Sequence, residues 1–176
     1  MHAIPGWGTT IASALGNAYA LNGDAKQAVS LLDQAVRQAA ADRCLTRQSL
    51  RVAFLAEAEL ISGRKSRAAE LGQEALRLAR AHGERPAEGH VLRILGDIAV
   101  ETDIDDPNLP ALYEQALAIA NKFSMRPLQA QCHLKIGRIL ARRKETAKAA
   151  AVFDVASAML DAMKIATSIE RRQTLI

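Results

Sequence analysis

The sequence predicts an all-α fold: a right-handed solenoid of four helical hairpins with a short additional helix at the C-terminal end. Three observations carry that expectation. Gly16, Ala56, Gly96 and Gly137 stand 40, 40 and 41 positions apart, and Ala35, Ala75, Ala116 and Ala156 repeat the rhythm at 40, 41 and 40. Self-similarity at a fixed period marks stacked repeats. The chain is 49% apolar but only 3% aromatic, with Ala and Leu prominent and β-branched residues sparse, a composition that suits closely packed helices rather than a sheet. Turn residues also recur at the half-period, in Asn22-Gly23-Asp24, Ser62-Gly63-Arg64, Asp103 to Pro110 and Arg143 to Glu145.

The elements follow in order. A helix over 8–21 carries Ala12, Leu15, Gly16 and Tyr19 on one stripe and ends at Asn22-Gly23. Asp24 can cap the helix over 25–40, whose stripe is Ala28, Leu32 and Ala35. The second pair spans 45–61, with Val52, Leu55, Ala56 and Glu59, and 65–81, with Ala68, Gly72 and Ala75; Gly83 terminates it. The third spans 87–101, with Leu92, Leu95, Gly96 and Ala99, and 109–122, with Tyr113 and Ala116. The shared one-residue slip places an insertion at 103–110, where Asp103, Asp105 and Asp106 precede the helix they are expected to cap. The fourth spans 127–141, with His133, Ile136, Gly137 and Leu140, and 146–162, with Ala149, Phe153 and Ala156. A last helix near 166–174 would cover the end of the stack. The repeats run about 8–47, 48–87, 88–128 and 129–162, with 163–176 as the cap, all within a single domain, 1–176.

Glycine in mid-helix costs roughly 1 kcal/mol relative to alanine. Its recurrence at Gly16, Gly96 and Gly137 is therefore expected where the second helix of each hairpin crosses the first, with the Ala series as the facing flat spot.

These positions resemble the tetratricopeptide repeat (TPR), whose pattern is W-x2-L-G-x2-Y, then A-x3-F, then P. Pro86 and Pro127 fall where the family's proline does. Departures are the Trp position, held by Ala12, Val52, Leu92 and His133, the Phe position of the second repeat, held by Gly72, and a period of 40 instead of about 34. A narrower likeness lies in Tyr113-Glu114-Gln115-Ala116-Leu117, Met125-Arg126-Pro127-Leu128 and Cys132-His133-Leu134 through Gly137. These resemble the C-terminal TPR region of large bacterial regulators that carry a class III adenylate or guanylate cyclase domain and an AAA-type ATPase, which implies a fragment or short relative of such a protein.

The resemblance also implies a ligand surface: in the family, positions 2, 5, 9, 12 and 13 of each first helix line a concave groove. Position 9 becomes Asn17, Glu57, Asp97 and Arg138; position 5, Ser13, Ala53, Arg93 and Leu134; position 2, Thr10, Leu50, His90 and Gln131; position 13, Leu21, Ile61, Glu101 and Arg142. The candidate partner-binding residues are thus Asn17, Glu57, His90, Arg93, Asp97, Gln131, Arg138 and Arg142. Asn17 matches one member of the clamp that some relatives use for a peptide carboxylate, but Ser13 stands where the clamp's lysine belongs. A peptide of mixed charge, its acidic part near Arg93, Arg138 and Arg142, is the expected ligand.

Other chemistry finds little support. No phosphate-binding glycine loop, nucleophile elbow, HExxH or Cys/His zinc spacing is present, so neither enzyme activity nor a cofactor or metal is expected. Cys132 and His133 are adjacent on a helix and point about 100° apart; both are expected as packed residues, and His82 and His90 as surface residues. Glu57 and Glu59 face different directions. Cys44 and Cys132 are 88 positions apart, without ligand spacing, and fit a reducing, cytoplasmic setting. No apolar run reaches the length of a membrane span, and no signal peptide is visible.

The net charge of +4 is uneven: residues 1–120 hold 12 Lys/Arg against 15 Asp/Glu, and residues 121–176 hold 11 against 4. The basic end, with Arg138, Arg142, Arg143, Lys144, Lys148, Arg171 and Arg172, could serve as a platform for nucleic acid, although it lacks the aromatic interleaving of single-strand binders. Self-association, including a homodimer, is the other alternative, through Leu50, Ile61 and Val100 or the last helix. The leading expectation is a protein-interaction module that holds an unidentified protein or peptide in its groove.

Overall fold

The computed structural model describes residues 7–43, 46–103, 106 and 108–163. Among the described residues eight helices follow one another: α1 (Trp7–Leu21), α2 (Ala25–Ala41), α3 (Gln48–Ile61), α4 (Lys65–Ala81), α5 (Arg85–Thr102), α6 (Leu109–Lys122), α7 (Arg126–Arg142) and α8 (Thr146–Ala162). Cys44 and the expected helix over 166–174 lie outside the described residues.

Short turns fold consecutive helices into hairpins, and each hairpin packs its second helix on the first helix of the next. The odd-numbered helices also touch one another from hairpin to hairpin, α1 on α3, α3 on α5 and α5 on α7, whereas the described even-numbered helices do not meet. That inequality curves the stack. The odd helices form its inner, concave layer and the even helices fan out behind them.

Among the described residues, helix ends use one device five times. Gly23, Gly63 and Gly83 adopt positive φ, and so do Ser124 and Lys144. In each case the next residue's N–H reaches back five residues, as from Asp24 to Tyr19 O at 3.0 Å and from Glu145 to Leu140 O at 2.9 Å, which satisfies carbonyls the helix leaves open. Asp24 caps α2 as expected, its Oδ1 accepting from Gln27 N at 3.1 Å.

Two starts differ from expectation. The third helix begins at Gln48 rather than near 45, because Arg47 is left-handed (φ 59) and cannot continue a helix backwards. Glu84, from the turn between α4 and α5, accepts from Arg47 N at 2.9 Å and from the buried Ser49 hydroxyl, pinning this start from the next repeat. In the insertion, Asp106 accepts from Asn108 N at 2.8 Å inside the loop, and Asn108, the residue before α6, makes no side-chain cap. Asp106 shapes the turn rather than capping α6, and its carbonyl accepts from Arg143 Nη2 at 2.9 Å; Asp105 lies outside the described residues.

The repeated glycines do mark close approach, but to a side chain. A Cβ at Gly16 would lie 2.5 Å from Leu32 Cγ, at Gly96 2.6 Å from Tyr113 Cζ, and at Gly137 2.7 Å from Phe153 Cε1. The Ala series is buried one turn further along the second helix. In the second repeat the roles exchange. Ala56 stands on the first helix and Gly72 on the second, and the space over Gly72 is taken by Leu95 of the following hairpin, whose Cδ2 would lie 2.7 Å from a Cβ at that position. The buried core falls into three clusters, one from Leu32 and Leu55 to Ile94 and Leu95, one around Leu128 and Cys132, and one of Leu109, Tyr113 and Ile139.

Of the apolar stripe expected to drive self-association, only Ile61 is exposed. Val100 packs against the cluster of Leu109, Tyr113 and Ile139, and Leu50 is half-buried beside α1. That stripe is corrected.

Candidate functional site

The concave layer places its polar side chains at two depths. On the floor lies a charged network that crosses three first helices. Arg93 on α5 donates through Nη1 to Glu57 Oε1 on α3 at 2.8 Å and to Asp97 Oδ2, one turn along, at 2.7 Å. Asp97 Oδ1 accepts from the Tyr113 hydroxyl on α6 at 2.7 Å and pairs with Lys135 Nζ on α7 at 2.8 Å. Arg93 and Asp97 are buried, and Tyr113 is fully so.

Two cations and two carboxylates make the network neutral. Burial works against the Arg93 charge, yet Glu57 and Asp97 outweigh it and hold the guanidinium protonated beyond its usual range. Burial, reinforced by Asp97, pushes the Tyr113 hydroxyl up, so that it serves as a donor. Cys132 nearby is also buried; desolvation drives its thiol up to about 12, which keeps it an inert packing group.

His90, one turn before Arg93, is half-buried rather than on the surface as expected. Desolvation, then the Arg93 charge, lowers its pKa to about 4, so the ring is neutral at physiological pH. His133 is partly buried, and desolvation lowers its pKa as well.

At the rim the picture changes. Gln131, Arg138 and Arg142 on α7 are exposed, and no described carboxylate pairs with either arginine. Asn17 on α1 is half-buried. Glu101 is exposed and pairs with Lys65 Nζ at 3.3 Å. At the N-terminal end of the concave layer, a cleft of about 140 Å³ opens between α1 and α3. Thr10, Ser13, Ala14, Arg47, Leu50, Arg51 and Phe54 line it. Arg51 is buried there and donates through Nη1 to Thr46 O at 2.7 Å.

The eight candidate residues therefore divide. Glu57, Arg93 and Asp97 come together on the floor, where Arg93 is committed to its two carboxylates and is no free cation for an acidic ligand. His90 sits beside them, Asn17 lies on α1, and Gln131, Arg138 and Arg142 share the outer part of α7. Lys135 and Tyr113 complete the network, although the repeat pattern does not mark either as a groove residue. Lys135 gave one signal, a lone charge inside the apolar stretch Leu134-Lys135-Ile136. In the basic quarter, Lys148 pairs with Glu145 at 2.7 Å and Arg143 is tied to the insertion, while Arg171 and Arg172 lie outside the described residues. Among the described residues no cluster of three or more His, Cys, Asp or Glu could hold a metal, and no helix is long and apolar enough to cross a membrane.

Four stacked hairpins whose first helices line a concave face define an all-α, TPR-like solenoid. No protein-family model matches the chain, and no curated protein matches it. Among solved structures it is similar to a crystal structure of nearly identical TPR-like repeats, described as a kinesin light chain of Podosopora anserina. The two share 17% identity over 93% of this chain and 99% of that one, with a TM-score of 0.38.

Proposed function

We propose that the chain binds a protein or peptide partner along its concave face, with an acidic stretch of that partner at Arg138 and Arg142. The observation that carries this reading is the contrast between floor and rim. Charges on the floor are spent on one another, whereas Arg138 and Arg142 stand exposed, four residues apart on one helix and without a described carboxylate partner. Residues four apart lie on the same helical face, so both guanidinium groups can meet one extended acidic segment. The cleft between α1 and α3, with Leu50 and Phe54 in its wall, offers a recess for a side chain elsewhere on the same ligand. The module works as a binding surface with no chemistry of its own. Its likeness at 113–137 to cyclase- and ATPase-linked TPR regions supports a cytoplasmic role within a bacterial signalling protein.

Capture from native cytosol, followed by mass spectrometry, tests the reading. Wild-type protein should retain a partner that the Arg138→Glu/Arg142→Glu variant loses. Arg93 is left intact, since its removal would strand Glu57 and Asp97. Equal capture by both proteins sinks the assignment.

A further inference from the structure

We infer that the cleft between α1 and α3 receives one glutamate side chain of the bound partner, its carboxylate held by Arg47 and Arg51. The inference rests on the concave face being a binding surface, and it names a contact on helices other than the one that carries Arg138 and Arg142. Size comes first. The volume of about 140 Å³ is close to that of a cavity of roughly 150 Å³ that takes a benzene ring. It falls well short of the roughly 300 Å³ at which sites for whole small molecules begin. The cleft therefore suits one side chain of a larger ligand.

Charge fixes the kind of side chain. One buried arginine, Arg51, and one exposed arginine, Arg47, share the lining. No described carboxylate lines the cleft, and the undescribed stretches 1–6 and 44–45, which adjoin it in sequence, contain no acidic residue. Glu84 stands at the start of α3, but its two oxygens accept from Arg47 N and the Ser49 hydroxyl. Among the described residues the Arg47 side chain makes no hydrogen bond or ion pair. Desolvation first, then Arg93, keep the nearby His90 ring neutral, and the Arg47 charge adds to both, which places that charge on the concave side. Two arginines in one recess without an acid in its walls favour an anion.

The walls select glutamate among anions. Ala14, Leu50 and Phe54 give them an apolar surface. Glutamate carries its planar carboxylate on two methylenes, which can lie on that surface while the carboxylate meets a guanidinium through two parallel hydrogen bonds. Aspartate has one methylene fewer and buries less stem. A phosphate group brings nearly two charges against the same walls, at a greater cost in lost hydration. The Ser13 hydroxyl donates to Thr9 O at 2.6 Å, so its proton is committed within α1 and does not compete with the arginines. Arg51 Nη1 donates to Thr46 O at 2.7 Å and to Gln48 Oε1 at 3.3 Å, which orients this guanidinium before a ligand arrives.

NMR titration of the isotope-labelled full chain with a short peptide tests the pocket. The probe is acetyl-Ala-Ala-Glu-Ala-Ala-amide, compared with its Gln and Asp counterparts; both ends are blocked, so only the side chain carries charge. Saturable shifts should gather at the amides of 10–14 and 47–54. The glutamate peptide should bind about tenfold more tightly than the glutamine peptide, as hydrogen bonds to a charged group imply, and more tightly than the aspartate one. Arg47→Ala, at an exposed site, should remove most of that preference, with circular dichroism confirming the fold. Arg138→Glu/Arg142→Glu should leave it unchanged. Absence of a saturable shift at the cleft overturns the pocket, as does equal binding of the glutamate and glutamine peptides, tighter binding of the aspartate peptide, or a preference indifferent to Arg47→Ala. Shifts confined to α7 also overturn it and leave the reading of Arg138 and Arg142 standing. The capture experiment on those two arginines probes a different helix, so the two assignments can fail separately.

Discussion

The Tyr113 hydroxyl donates to Asp97 Oδ1 at 2.7 Å, and that oxygen is also 2.8 Å from Lys135 Nζ. One carboxylate on α5 thereby joins its hairpin partner α6 to the next repeat's α7, while its second oxygen holds Arg93 against Glu57 of the repeat before. Asp97 is the point through which three repeats are electrostatically registered.

Removing that point should be far costlier than removing one spoke. Asp97→Ala leaves Arg93 buried with half its compensation gone, and breaking a buried pair in this way costs about 3–5 kcal/mol. Tyr113→Phe deletes one hydrogen bond and leaves Asp97 with both cations, a loss of about 1 kcal/mol. Urea denaturation of the two variants measures the difference, and equal midpoints would show that Asp97 plays no such central part.

Gly96 adjoins Asp97 in sequence and lies under the ring of Tyr113. A Cβ there would sit 2.6 Å from Cζ, and the ring is fully buried with its hydroxyl held, so it has nowhere to retreat. Gly96→Ala should therefore destabilise the protein by about 1–3 kcal/mol through overpacking, although alanine favours a helix by about 1 kcal/mol. Gly72→Ala should cost less, because the atom it meets is the terminal methyl of Leu95, 2.7 Å away, which can rotate. Thermal melts of both variants check the order.

Much of this architecture was legible because small residues are conspicuous where they are locally unfavourable. Gly16, Gly96 and Gly137 each announce a crossing, and Gly23, Gly63 and Gly83 a turn. The site was legible only in part. The repeat pattern names which residues face inward but not how far one hairpin slides along the next. Glu57 meets Arg93 at a separation of 36 residues and Asp97 meets Lys135 at 38, both short of the 40-residue period. That stagger comes from packing, so Arg93 read as an open cation when it is a buried and satisfied one. The turn at Arg47 hid for a similar reason: its partner Glu84 lies 37 residues away.

His90 gives the network a pH signature. Its folded-state pKa, lowered to about 4 by desolvation and Arg93, lies below the ordinary value of 6.5. Between those values the unfolded chain binds the proton and the folded chain does not, so stability falls as pH drops from about 6.5 toward 4. The loss should reach about 2 kcal/mol, discounted for the part of the ring that solvent reaches. His90→Gln should flatten this segment of the stability–pH curve. Denaturation midpoints at pH 7, 6, 5 and 4 provide the measurement, and an unchanged slope in the variant would remove His90 from the account.

Lys144 occupies the turn position that glycine holds at 23, 63 and 83, with φ at 63°. A side chain in that left-handed region crowds its own carbonyl, at about 1 kcal/mol or somewhat more. Glycine relieves the crowding but adds freedom to the unfolded chain, which offsets part of the gain. The hydrogen bonds from Lys144 N to Ala141 O and from Glu145 N to Leu140 O, both at 2.9–3.0 Å, fix the conformation, so substitution leaves the turn in place. Lys144→Gly should therefore raise the melting temperature by about 2–4 °C, as expected for roughly 1 kcal/mol in a chain of this size. Lys144→Ala removes the same charge from the crowded run Arg142-Arg143-Lys144 while keeping the Cβ. A rise with glycine alone assigns the effect to the backbone, whereas an equal rise with alanine would assign it to charge repulsion and refute the strain.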